Sequence, residues 1–183
     1  PPDRDDRLAR WRAEVDAAHD RPPTLAAAWA MLAWEAFAPF PDEAGLGRLL
    51  AADLLRGRGK VGSHLLDIAS GLRAVAPERR RHADPVIRLQ AALEAIAAGA
   101  GRGLEDHERL LTARELLLRR VGMRRSNSRL PRLVDLVVAA PLATADTVAT
   151  ALSVTPQAAR SMITELGLRE ITGRGRFRAW AVG

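Results

Sequence analysis

The chain contains no cysteine, which removes disulfides, thiolate nucleophiles and cysteine-type zinc sites together and fits a cytoplasmic protein. No apolar run approaches the roughly 20 residues of a membrane span and no signal-peptide pattern is visible, so no membrane partner is expected. Lysine is all but missing. Lys60 is the only one, so nearly every cation is a guanidinium, which forks onto phosphate or guanine edges better than an ammonium does. A high-GC genome that favours arginine codons would leave the same imprint. The histidines His19, His64, His82 and His107 show no ligand spacing, and Glu105, Asp106 and Glu108 read as dipole-favoured acids on the wet face of a helix start. The glycine-rich run at 99–103 lacks the preceding strand that a phosphate cradle needs. No metal, cofactor, small-molecule substrate or catalytic residue is therefore expected. The sequence opens on Pro1-Pro2 without methionine, and a fragment that has lost its natural N-terminus is expected.

At 183 residues the chain can bury one sizeable core, or one helical domain plus a small module. Charge favours the second arrangement. Residues 116–183 carry 11 arginines and 4 acids, a net of +7, whereas residues 1–115 carry 17 basic and 18 acidic residues, a net of −1. A basic surface confined to one module is the footprint of a polyanion partner, because each neutralised phosphate releases condensed counterions.

Apolar spacing predicts helices through most of the chain. The first covers residues 3–19 with Leu8, Trp11, Val15 and Ala18 on one face, and Arg21-Pro22-Pro23 ends it. Thr24 caps a very apolar second helix with Leu25, Trp29, Leu32, Ala36 and Phe37 recurring and Trp34 on another side, stopped by Pro39 and Pro41. A third runs over about 42–55 and closes in Arg56-Gly57-Arg58-Gly59-Lys60, and Ser63 caps a fourth that reaches Val75. Asp84-Pro85 opens a fifth with Val86, Leu89, Leu93 and Ile96 in a stripe, ended by Gly99, Gly101 and Gly103. A sixth spans roughly 104–121, with Leu110, Leu111, Leu117, Leu118 and Val121 facing inward. Residues 119–132 then hold six arginines and no acid, interrupted by Ser126-Asn127-Ser128, which marks a domain boundary between 1–125 and 126–183. A further helix covers 130–139, with Pro131 tolerated in its opening turn.

The tail has the spacing of a helix-turn-helix over residues 145–167. Val148, Leu152, Val154, Ala159 and Met162 fall where two helices must clamp across a tight turn, and small Ala149 sits at their closest approach. Thr155-Pro156 supplies a cap oxygen and a preset φ for the start of a recognition helix. Ser153 stands where glycine is usual. Residues 168–172 and 177–182 alternate and are joined by Gly173-Arg174-Gly175-Arg176, which reads as a hairpin wing that Trp180 seals against the helices.

Ala159, Met162, Ile163 and Leu166 must face the core of such a module, which leaves Gln157, Ala158, Arg160, Ser161 and Thr164 outward or at the margin. Glutamine suits adenine, arginine suits guanine, and a small alanine admits a thymine methyl. Thr155 and the helix N-terminus can hold a backbone phosphate. Arg174, Arg176 and Arg178 on the wing, with Arg124, Arg125 and Arg129 before the module, suit flanking phosphates or a minor groove. The bland alternative is a helical hairpin for protein contact with a solvated charged face.

The segment Ala38-Pro39-Phe40-Pro41-Asp42-Glu43-Ala44-Gly45-Leu46-Gly47-Arg48-Leu49-Leu50 resembles the signature of Fic-domain proteins, His-Pro-Phe-x-Asp/Glu-Gly-Asn-Gly-Arg. That family uses the histidine as general base, the acid to hold magnesium and the glycine-rich stretch to bind nucleotide phosphates. Pro39, Phe40, Asp42 and Gly45 match. Ala38 stands at the histidine position, Glu43 and Ala44 replace the first Gly and the Asn, and one residue is missing before Gly47-Arg48. The resemblance thus implies a degenerate, non-catalytic scaffold, with a remnant of nucleotidyl transfer as the alternative. Many Fic proteins carry a C-terminal winged helix, which Thr155-Pro156-Gln157-Ala158-Ala159-Arg160, Glu165-Leu166-Gly167 and Thr172-Gly173-Arg174-Gly175-Arg176 resemble. The whole chain is similar to an alphaproteobacterial, often plasmid-borne family that joins a Fic-like helical region to such a module.

The expectation is a mainly α protein: a helical, Fic-like bundle followed by a winged helix-turn-helix with a small β-hairpin. It is read as a cytoplasmic, nucleoid-associated, non-enzymatic binder of double-stranded DNA, serving transcription regulation or replicon maintenance. Two modules of a homodimer would read half-sites roughly 10 bp apart.

Overall fold

The computed structural model describes residues 3–122, 129–140, 142–173 and 178–182. The described chain is mainly helical, with one small sheet late in the sequence, and forms two compact units, Pro1–Glu105 and Asp106–Gly183.

In the first unit, α1 (Arg4–Ala17) is capped by Asp3, whose side chain accepts from the Asp6 amide at 2.8 Å. Helix α2 (Pro23–Phe37) starts on Pro23 with Pro22 as its cap residue, so Thr24 lies inside the first turn and does not cap it. Its buried face differs from the expected stripe. Ala27, Ala28, Met31 and Trp34 are buried, while Leu25, Trp29 and Leu32 are half-buried and Ala36 is exposed. Small side chains let α2 lie close against α3 (Ala44–Gly57), where Ala51 and Ala52 are also buried. Trp34 fills the gap this leaves: it meets Trp11 edge-on at 5.2 Å and stacks on Phe40 at 5.9 Å. Gly47 is required beneath it, since a Cβ there would lie 2.5 Å from the Trp34 ring.

The predicted fourth helix shrinks to α4 (Ile68–Leu72), capped by Asp67 and not by Ser63. The Asp67 Oδ1 accepts from the Ser70 amide at 3.0 Å, so the helix starts where a carboxylate can reach a free donor. A single turn, α5 (Pro77–Arg80), follows.

The predicted fifth and sixth helices are one, α6 (Pro85–Gly122). Glycine lowers helix propensity by about 1 kcal/mol without removing a hydrogen bond, so a flanking run of Ala and Leu can carry the helix through. Gly99 is present for packing: a Cβ on it would come within 2.7 Å of the Asp67 carbonyl oxygen. Val86 and Leu111, expected inside, are 59% and 47% exposed.

In the second unit, the C-terminal part of α6 supplies Leu117 and Val121 to a core shared with α7 (Leu130–Ala139), α8 (Ala145–Leu152) and α9 (Pro156–Leu166). Arg114 pairs with Asp135 at 2.8 Å. The expected hairpin is part of a three-stranded antiparallel sheet, because β1 (Ala143–Thr144) joins β2 (Arg169–Glu170) and β3 (Ala179–Ala181) in the order β1-β3-β2. The register pairs Thr144 with Ala179 and Glu170 with Trp180.

Candidate nucleic-acid interface

The turn between α8 and α9 is built by caps. Thr144 and Thr147 close a reciprocal box at the start of α8, each side chain accepting from the other's backbone amide, at 3.1 and 2.9 Å. Val148, Ala149 and Leu152 from α8 then pack against Ala159, Ile163 and Leu166 from α9 and Leu133, Val134 and Val137 from α7. Ala149 and Ala159, 7% and 0% exposed, leave room for the two helices to approach. Val154 and Met162 are half-buried against the same core, as is Trp180 from the sheet.

Ser153 ends α8 with φ 51 and ψ 53, the left-handed conformation that glycine adopts freely and other residues only at a cost. Ser153→Gly is therefore expected to stabilise the protein by about 0.5–1 kcal/mol, read as a rise in the urea midpoint at unchanged m value. Thr155 starts α9, its Oγ1 accepting from the Ala158 amide at 3.2 Å. That bond uses an acceptor lone pair and leaves the Thr155 O–H free to donate.

Gln157, Arg160, Ser161 and Thr164 are all exposed and recur at i, i+3, i+4 and i+7, so they share one helix face, with Ala158 half-buried at its edge. The opposite face is Ala159, Ile163 and Leu166, all buried. Arg160 makes no ion pair among the described residues, so its guanidinium is available to an outside anion.

The remaining arginines divide. Arg178 lies just before β3, 3.4 Å from the Glu170 carboxylate. The Nη1 of Arg129 donates to the carbonyls of Leu152 and Ser153, at 2.7 Å each. Arg124, Arg125, Arg174 and Arg176 lie outside the described residues. By type and position Arg129 groups with the phosphate contacts, and β1 leaves no signal in the sequence because a two-residue strand has no alternation to detect.

Burial pushes the Glu35 carboxyl above its ordinary range, and the charges of Arg48, Arg88 and Arg80 pull it back in part. Glu94 is held below the ordinary range by its hydrogen bond to the Arg79 guanidinium. No group of His, Asp or Glu suited to a metal ion occurs among the described residues, and no described helix is long and apolar enough to cross a membrane.

A family model described as "HTH DNA binding domain" matches residues 130–182, and one described as "Protein of unknown function (DUF1612)" matches residues 2–122. An uncharacterized protein, y4cF, of Sinorhizobium fredii (strain NBRC 101917 / NGR234) is 46% identical over 181 residues, covering 98% of this chain and 48% of the relative. The chain thus spans about half the length of that relative. With its first two-thirds matched by one family and its tail folded as a helix-turn-helix, the chain belongs to the DUF1612 family and carries an HTH DNA-binding domain.

Proposed function

We propose that this chain binds double-stranded DNA sequence-specifically and catalyses no reaction, acting as a transcriptional regulator or in replicon maintenance. The observation that carries this reading is the α9 face on which Gln157, Arg160, Ser161 and Thr164 stand exposed together, opposite a fully buried apolar face. Those side chains have the donors and acceptors for base edges, and a helix held by a second helix across a tight turn is the geometry that enters a major groove. A cytoplasmic, nucleoid-associated location follows from that role.

One module of this size offers a small interface, too small for tight specificity at physiological salt, so the reading includes a homodimer. We read the loop that resembles the Fic signature as scaffold only. Ala38 cannot accept a proton, while Pro39 is buried and Phe40 stacks on Trp34, so what is retained serves packing.

Selection of bound duplexes from a random pool tests the reading. The expected product is a pair of inverted half-sites roughly 10 bp apart. A single unrepeated element would remove the dimer, and failure to enrich any sequence would remove specificity. Genome-wide occupancy at promoters, or at replicon landmarks, separates the two biological roles.

A further inference from the structure

Arg129 stands at the N-cap position of α7, yet its guanidinium reaches across to the end of α8. Both hydrogens of its Nη1 are committed, one to the Leu152 carbonyl and one to the Ser153 carbonyl, at 2.7 Å each. These oxygens lie at a helix C-terminus, where the helix supplies no amide partners and the negative end of its dipole collects. They also flank Ser153, held at φ 51 in the left-handed region that costs a non-glycine residue energy. Thr155, which caps α9, is only two residues further on.

We propose that Arg129 is a positioning residue: it clamps the α8–α9 turn and so sets the attitude of α9 toward DNA, without neutralising a phosphate. The inference rests on the reading of α9 as the recognition helix. It divides the arginine-rich stretch 119–132 by role, because a residue of the same type and charge as its neighbours is directed inward onto carbonyls.

The test compares full-length variants on a duplex enriched from a random pool, measuring affinity against salt concentration together with melting temperature. Arg129→Ala weakens binding about tenfold, the loss expected for a charge-assisted hydrogen-bond pair, and lowers the melting temperature by about 5 °C. Its salt slope stays that of the wild type, whereas loss of a phosphate-neutralising cation would lower the slope by about 1. Adding Ser153→Gly to Arg129→Ala recovers most of the affinity and the melting temperature, because glycine removes the strain that the clamp opposes. Arg129→Lys, which keeps the charge but not the planar fork, also loses affinity at unchanged slope; a phosphate contact would survive that exchange.

The proposal is overturned alone if Arg129→Ala lowers the salt slope, if Arg129→Lys binds like wild type, or if Ser153→Gly recovers neither quantity. A wild-type chain that ignores duplex at low salt overturns the recognition-helix reading, and this proposal with it.

Discussion

Replacing Gln157 and Arg160 together with alanine lowers affinity for an enriched duplex by about a hundredfold or more, with the melting temperature nearly unchanged. Each side chain that pairs bidentately with a base is worth about 1–3 kcal/mol of discrimination, and the two stand on one exposed face of α9. Neither is part of the buried cluster formed by Ala159, Ile163 and Leu166, and alanine favours helix, so the loss comes from contact and not from unfolding. Fluorescence anisotropy at fixed salt, with a thermal melt of the same sample, measures both. Discrimination between the enriched site and an unrelated duplex should fall alongside affinity. A loss below about threefold would place base recognition elsewhere in the module.

Gly71→Ala destabilises the first unit by about 3 kcal/mol, a large fraction of the stability of a domain this size. A Cβ on Gly71 would lie 1.9 Å from the Ala95 carbonyl oxygen and 2.6 Å from the Gly99 amide nitrogen. Both atoms are backbone of α6, so neither can swing aside as the tip of a side chain could. Helices α4 and α6 would have to separate, and the contacts of Ile68 with Ala92 and Ile96 in the same core would loosen. Gly101→Ala is the matched control: nothing lies within 4 Å of its Cβ position, so there the substitution adds about 1 kcal/mol of helix propensity. Chemical denaturation of the two variants should therefore move in opposite directions. A Gly71→Ala variant that melts with the wild type would show that the close approach of α4 to α6 is not rigid.

These two substitutions mark what local sequence can and cannot convey. The helix-turn-helix is readable because its determinants are neighbours: Thr155-Pro156 starts α9, and the apolar residues that clamp it recur within a few positions. The outward residues follow by exclusion once Ala159, Ile163 and Leu166 are assigned to the core. Glycines 99–103 are misleading for the opposite reason. Local propensity says stop, but what decides Gly99 is the Asp67 backbone 32 positions earlier in sequence. The same holds for β1, whose partner in the Ala143–Trp180 pair comes from the far end of the module. In the first helical hairpin, hydrophobic size points to Leu25, Trp29 and Leu32, whereas packing selects the alanines, because the distance between two helix axes is set by the smallest residues at the contact. Arg129 could not be told from Arg124 or Arg125 by type, charge or spacing; its own role shows only in the carbonyls it meets.

Thr144 belongs to two elements at once, paired with Ala179 in the sheet and capping the first turn of α8 through Thr147. The last strand therefore grips the same residue that begins the two-helix motif, with no spacer between them to take up slack. A displacement of β3 would therefore reach the first turn of α8 through a single residue, Thr144.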